Sequence, residues 1–211
     1  MQFGPGDGLP GPAWQQGHPI ILRQFEGPCV KRTAEAFATI ARHVSLRRCT
    51  GLPGIVWDTG MPLFVDDLGR SQRFLRAASA TKVGINRGPA MPCAKPGQGT
   101  WALAFLSALG TPLALRIEVW LPDPGHTTLR RVAGHCEVLG KLPPGEGEPP
   151  VARGAGTLGR AMASGIPGIS HQAGAEPGEL GASAQAAGLT VLLAMPLLRD
   201  GRLLAVIGWY F

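Results

Sequence analysis

Apolar positions along this chain gather into short runs separated by glycine and proline, and the runs come in a repeated order. Residues 189–198 read LTVLLAMPLL, too continuously apolar for a strand with one face in water. Arg199-Asp200-Gly201-Arg202 follows, then LLAVIGWYF at 203–211. Two apolar runs around Asp-Gly predict a β-hairpin. A matching pair stands earlier: GINRGPAMPC (84–93), the glycine-rich KPGQG, and TWALAFLS (100–107). Met91-Pro92 and Met195-Pro196 set the register of that comparison. LALRIEVWL (113–121) alternates as a strand does, Pro122-Asp123-Pro124-Gly125 reads as a turn, and LRRVAGHC (129–136) as the next strand. LPPGEGEPP (142–150) reads as a loop.

Helical spacing appears three times. Ala34, Phe37, Ala38 and Ala41 fall on one face of 31–44. RFLRAASATKVG (73–84) and ELGASAQAAG (179–188) are alanine-rich and stop on Gly84 and Gly188. Ser71 stands where an N-cap for the first of these would stand.

A phrase precedes each of these segments. The chain reads GLPGPAWQQGHP at 8–19, GLPGIVWDTGMP at 51–62 and GTLGRAMASGIP at 156–167. A G-x-x-G start turns tightly into about two helical turns. Gly17, Gly60 or Gly165 then closes the helix at positive φ, and a proline forbids its continuation. The extended runs PIIL (19–22), PLFV (62–65) and PGIS (167–170) follow. The phrase thus encodes turn, short helix, glycine stop and strand. Copies two and three begin 105 residues apart, and copies one and two only 43.

Composition narrows the class. The 211 residues are 45% hydrophobic and 16% charged, which is globular. The 31 glycines and 20 prolines sit at repeated positions and act as turn punctuation. The net charge of +6 is scattered arginine without a nucleic-acid-binding module, so no nucleic-acid partner is expected. Cys29, Cys49, Cys93 and Cys136 form no CxxC pair, so no metal site is expected. No secretory pattern opens the sequence and no 18-residue apolar run occurs, so no membrane association is expected. A cytoplasmic setting with free thiols follows as the expectation.

The order around ALRIEVWLPDPGHTTLRRVAGHCEV, GAGTLGRAMASGIPGI and AQAAGLTVLLAMPLLRDGRLLAVIGWYF resembles the GAF domain family over about 113–211. Residues 51–107 resemble the C-terminal half of another such domain, and 6–48 part of that half again. The resemblance implies an α+β, GAF/PAS-like fold: an antiparallel β-sheet flanked by helices on both sides. It also implies one abbreviated region at 1–111, holding two partial repeats, and one complete domain at 112–211. Copy two then completes its sheet with strand material of copy one or by pairing with another chain.

The resemblance further implies a sensory or regulatory module of bacterial type, binding an unknown small molecule. Its signal would pass through a homodimer or a separate output protein. The pocket would lie between the sheet and the segment before the glycine phrase, with Arg116, Trp120, His135, Cys136 and His171 as candidates. Against this, Trp120 also suits core packing and His171 a polar surface. His135 and Cys136 are adjacent, so they face opposite sides of a strand. Asp66 and Asp67 suit acid–base work, or a helix cap and ion pairs.

No nucleophile elbow, phosphate-binding loop or kinase phosphoacceptor block appears, so no catalytic residue is named and no cofactor is identified. Two alternatives remain. One is a thiol-dependent enzyme of the GAF fold, such as a free methionine sulfoxide reductase. The family's cysteines cluster for that reaction, whereas these four are dispersed. Bilin attachment commonly uses a Cys-His pair, and here the order is His135-Cys136. The other alternative is a dimerisation module without ligand.

Overall fold

The computed structural model describes residues 46–82, 84–94, 100–108, 112–145 and 147–211. The expected strand at 19–22, the helix at 31–44 and Cys29 lie outside them, as does the side chain of Cys93. Ser45–Phe211 forms one compact unit. Its elements begin with α1 (Gly51–Thr59), β1 (Leu63–Val65), α2 (Ala77–Lys82), β2 (Ile85–Ala94), β3 (Thr100–Ala104) and β4 (Ser107–Ala108). They continue with β5 (Arg116–Pro122), β6 (Thr128–Cys136), β7 (Gly140–Leu142), β8 (Val151–Ala152), α3 (Gly156–Ser164) and β9 (Gly168–Ser170). A 3₁₀ turn (Ala173–Ala175), α4 (Glu179–Ala186), β10 (Leu192–Arg199) and β11 (Arg202–Tyr210) complete the unit.

The strands make two antiparallel sheets, giving a mixed α+β architecture. The larger has the order β7-β6-β5-β11-β10-β9, with β8 also on β6. The smaller has the order β1-β2-β3, with β4 on β2. The Asp-Gly signal is realised: Arg199 pairs with Arg202, and Asp200 (φ 51) and Gly201 (φ 77) form the two-residue turn.

The repeated phrase produces the same geometry twice. Helices α1 and α3 each run nine residues and stop on a left-handed glycine, Gly60 (φ 66, ψ 14) and Gly165 (φ 68, ψ 13). The cap N–H groups donate to the Val56 and Ala161 carbonyls. The turn ahead of each helix also repeats. Cys49 N–H donates to the Gly54 carbonyl at 3.0 Å, as Gly154 N–H does to Gly159 at 2.8 Å. A methyl built on Gly54 would run into the Arg47 carbonyl oxygen, and one on Gly159 into that of Ala152. Glycine is therefore required at the fourth position of the phrase by close backbone approach.

Strand register repeats as well. Leu63 pairs with Ala90 and Ala90 with Ala104. Gly168 pairs with Ala194 and Ala194 with Gly208. The second half is preceded by β5 and β6, and β5 pairs along β11.

Three expectations are corrected in detail. The helix expected over 73–84 is confined to Ala77–Lys82, because Phe74 N–H donates to Ser71 and Ala77 N–H to Phe74 in successive turns. Ser71 Oγ accepts from Arg73 N–H inside the first turn and does not cap α2. The run 100–107 breaks into β3 and β4, where Phe105 N–H turns back to the Pro89 carbonyl.

Both faces of the large sheet are covered, as its continuous apolar strands require. On one face Leu158, Ala161 and Met162 of α3 and Leu180 and Ala184 of α4 pack with Trp120, Leu129, Leu192, Val206 and Tyr210. On the other, Ile117, Leu193, Met195, Ala205, Ile207 and Trp209 pack with Phe64, Met91 and Phe105. Among the described residues that second face is covered by the small sheet rather than by a helix. Equivalent positions meet in the seam. Phe105 and Trp209 stand edge to face with ring centroids 5.3 Å apart, and Met91 and Met195 share one cluster. Contact between equivalent elements is the pattern of an isologous, two-fold interface.

Candidate functional site

Strand β5 sends Arg116, Glu118 and Trp120 toward the helical layer, since alternate residues of a strand share a face. Glu118 is fully buried and accepts five hydrogen bonds. Its Oε1 accepts from Arg116 Nε (2.8 Å), from Arg116 Nη2 and from Arg131 Nη1 (3.1 Å). Its Oε2 accepts from Trp120 Nε1 (3.1 Å) and from the Tyr210 hydroxyl (2.9 Å). Arg116 Nη1 donates to Ser183 on α4 at 2.8 Å, which ties the sheet to the helix. The Arg116 guanidinium stands 5.0 Å from the Tyr210 ring centroid, and that of Arg131 stands 5.9 Å from Trp120.

Glycine makes room for this hub. Glu118 is paired across one neighbouring strand with Gly208 and across the other with Gly134. A Cβ on Gly134 would approach Glu118 Cγ to 3.3 Å and the Ile117 carbonyl oxygen to 2.9 Å. Such glycines weaken a strand and mark close approach.

The charges hold one another in place. Burial opposes the charge on Arg116, but Glu118 and Tyr210 more than offset it, and the guanidinium pKa stands above its usual value. Burial, then the neighbouring Glu118 charge, push the Tyr210 phenol well above its usual range. It therefore stays protonated and donates. Arg131 reaches outward through Nη2 to Glu148, and its Nε reaches the Pro143 carbonyl at 3.3 Å.

A second buried carboxylate lies at the start of α3. Glu176 accepts from Thr157 N–H (2.7 Å) and from the Thr157 hydroxyl, to which Arg160 Nη2 also donates at 3.0 Å. Its charge reaches Tyr210, one of the causes raising that phenol. This carboxylate supplies the acceptor that a helix N-terminus needs, from a residue 19 positions downstream.

The candidates expected from sequence divide. Arg116 and Trp120 belong to the hub, and buried Cys136 pairs with Arg116 across β5 and β6. His135 faces the opposite side, toward the seam. Desolvation and then Arg87 hold its pKa below the usual histidine value, while Glu137 and Asp66 pull it upward. Its Nδ1 is buried and finds no hydrogen-bond partner among the described residues. His171 is exposed, between β9 and the 3₁₀ turn.

Asp66 and Asp67 lie in the N-terminal half. Asp66 pairs with Lys141 at 2.7 Å. Asp67 Oδ1 accepts from Gly69 N–H (2.9 Å) and Arg70 N–H (3.1 Å). It also lines an open hollow of about 310 Å³ with Arg70, Thr81 and Asn86. Ion pairing and turn capping account for both.

Glu118, Arg131, Tyr210, Glu148 and Glu176 were not anticipated. The available signal was the isolated glycine inside two strand patterns, Gly134 and Gly208. Among the described residues, no three His, Cys, Asp or Glu side chains gather to hold a metal. Nor is any helix there long and apolar enough to cross a membrane.

No protein-family model matches the chain, and no curated protein matches it. A solved structure, a hypothetical protein from S. aureus, is similar over 46% of this chain and 80% of that one. It shares 14% identity at a TM-score of 0.31, a likeness too slight to bear on fold or activity.

Proposed function

We propose that this chain is a GAF-type sensory or regulatory module that binds a small molecule between the large sheet and the α3–α4 layer. Occupancy of that space is relayed to a partner, an output protein or a second copy, in the cytoplasm. The hub centred on Glu118 carries the reading. Apolar residues of the same volume would give equal or greater stability than a buried ion-pair network, by roughly 0–4 kcal/mol. Two arginines, a carboxylate, a phenol and an indole N–H converging at one buried place are what a recognition site uses.

Native mass spectrometry of the purified chain, before and after denaturation, tests the proposal. A mass excess lost on denaturation supports a ligand, and substitution at Arg131 should remove that excess. A mass excess that survives Arg131→Gln would place the ligand elsewhere and defeat the reading.

One observation favours a second reading. Both Glu118 oxygens are already supplied with donors from the protein itself. A self-satisfied interior suits a dimerisation module without ligand, which would give a clean dimer mass in the same experiment. The thiol-enzyme alternative gains nothing from the described cysteines. Cys49 is exposed ahead of α1, Cys136 is buried beside the hub, and both are free.

A further inference from the structure

The Arg131–Glu148 pair differs from the rest of the hub. The Arg131 side chain is 6% exposed, whereas that of Glu148 is 37% exposed. Glu148 belongs to the loop 143–150, which carries four prolines and has no helix or strand among its described residues. That loop is tied to β6 by the Gly145 N–H bond to the Arg131 carbonyl (2.9 Å), the Arg131 Nε contact with Pro143 and the Arg131–Glu148 pair. Inside the hub, Arg116 and Arg131 bring two positive charges and Glu118 one negative charge. The enclosed set is therefore one positive charge in excess, and the Glu148 carboxylate cancels it from the rim.

We propose that Glu148 occupies, within its own chain, the seat of a small carboxylate ligand. A free carboxylate takes its place on Arg131 and loosens the loop around Glu148. The inference rests on the reading of the hub as a ligand site and names the class of ligand. Carboxylate is favoured over phosphate on two grounds. The seat already holds a carboxylate on a single guanidinium nitrogen, Nη2. Glu118 on the neighbouring Nη1 also repels a second negative charge on the ligand. The loop loosens because the freed Glu148 loses its only charged partner among the described residues, leaving the Gly145 and Pro143 contacts to hold it.

Glu148→Gln is the decisive variant. Its side chain lies at the rim, so the fold survives the change, while the competitor loses its charge. Calorimetric titration of the full-length protein and of E148Q uses acetate, succinate and inorganic phosphate at constant ionic strength. Removing an internal competitor that fills the seat nine-tenths of the time tightens the apparent affinity by about tenfold. The expected result is carboxylate binding tightened by that order in E148Q. Hydrogen exchange of the 143–150 amides should also quicken when carboxylate is added to the unaltered protein.

Equal affinity in both proteins overturns the proposal, as does unchanged exchange in the loop on saturation. Phosphate binding better than either carboxylate overturns the ligand class. Failure of E148Q to bind any probe also overturns it. A neutral compound co-purifying with the same preparation, and lost on Arg131→Gln, would then show that the hub binds a ligand of another class.

Discussion

Replacing Gly159 with alanine puts two known effects in opposition. Alanine is the better helix former by about 1 kcal/mol, so propensity alone favours the variant. The new methyl, however, collides with the Ala152 carbonyl oxygen and comes within 3.1 Å of the Gly154 nitrogen. Both neighbours are backbone and cannot rotate aside. The helix must move off the preceding turn and stretch the Gly154–Gly159 bond of 2.8 Å. Overpacking of this kind costs about 1–3 kcal/mol, and a backbone obstacle belongs at the upper end. The net loss is about 2 kcal/mol, which lowers the melting midpoint of a unit this size by roughly 4–8 °C.

Gly54→Ala meets the Arg47 carbonyl in the same way and should lose the same amount. The double variant should lose the sum within about 0.5 kcal/mol, because the sites share no partner. Gly140→Ala is the control. Its φ of +78° penalises any side chain by about 1–2 kcal/mol, but nothing lies within 4 Å. Thermal and urea unfolding followed by circular dichroism give the numbers. A stabilised Gly159→Ala would refute the close approach, and losses that differ widely between Gly54 and Gly159 would refute the equivalence of the two halves.

Glu118→Gln takes from buried Arg116 its only charged partner among the described residues and from Arg131 one of two, and should cost about 3–5 kcal/mol. Adding Arg116→Met, which removes the stranded charge, should restore much of the loss, and a single-variant loss under roughly 1 kcal/mol would show the hub to be solvated. His135 has a depressed pKa in the folded chain, so the unfolded chain binds its proton first as pH falls. Its contribution is complete above the ordinary value of about 6.5 and is lost as pH drops from there toward the folded value. His135→Gln should flatten stability against pH in that window, and an unchanged slope in urea unfolding would contradict the burial at the seam. A hydrogen bond to Asp58 raises the exposed Cys49 thiol above its usual pKa. Alkylation mapped by mass spectrometry should label Cys49 faster in Asp58→Asn and reach Cys136 only after unfolding; native labelling of Cys136 would contradict its position.

Local rules carried the scaffold. Asp200-Gly201 gave the hairpin, Gly60 and Gly165 the helix stops, and the unbroken apolar runs of β10 and β11 required cover on both faces. Segments whose ends depend on tertiary contacts were less legible. Helix α2 starts late because Ser71 and Phe74 accept turn bonds, which alanine propensity does not report. The site was the least legible. Arg116 and Glu118 alternate with Ile117 and Val119, a pattern that reads as a wet face opposite a dry one. It is misleading in this central strand, because β11 beside it is apolar on both faces and the α3–α4 layer covers the face that carries Arg116 and Glu118.

The two halves show why scaffold and site were unequally readable. Equivalent positions keep the glycines of the phrase, the Met-Pro pair and the strand register, because turns and close approaches depend on backbone chemistry that few residues supply. The polar groups around the hub are not shared. Thr157, which holds Glu176, corresponds to Leu52, and Tyr210, which donates to Glu118, corresponds to Leu106. Gly208, which faces Glu118, corresponds to Ala104. One supersecondary plan thus supports a charged interior in one half and apolar residues at these positions in the other. The repeated letters specify how the backbone turns. The chemistry resides in the letters that differ between copies, so a comparison that aligns the repeats by their likeness passes over the residues that make the site.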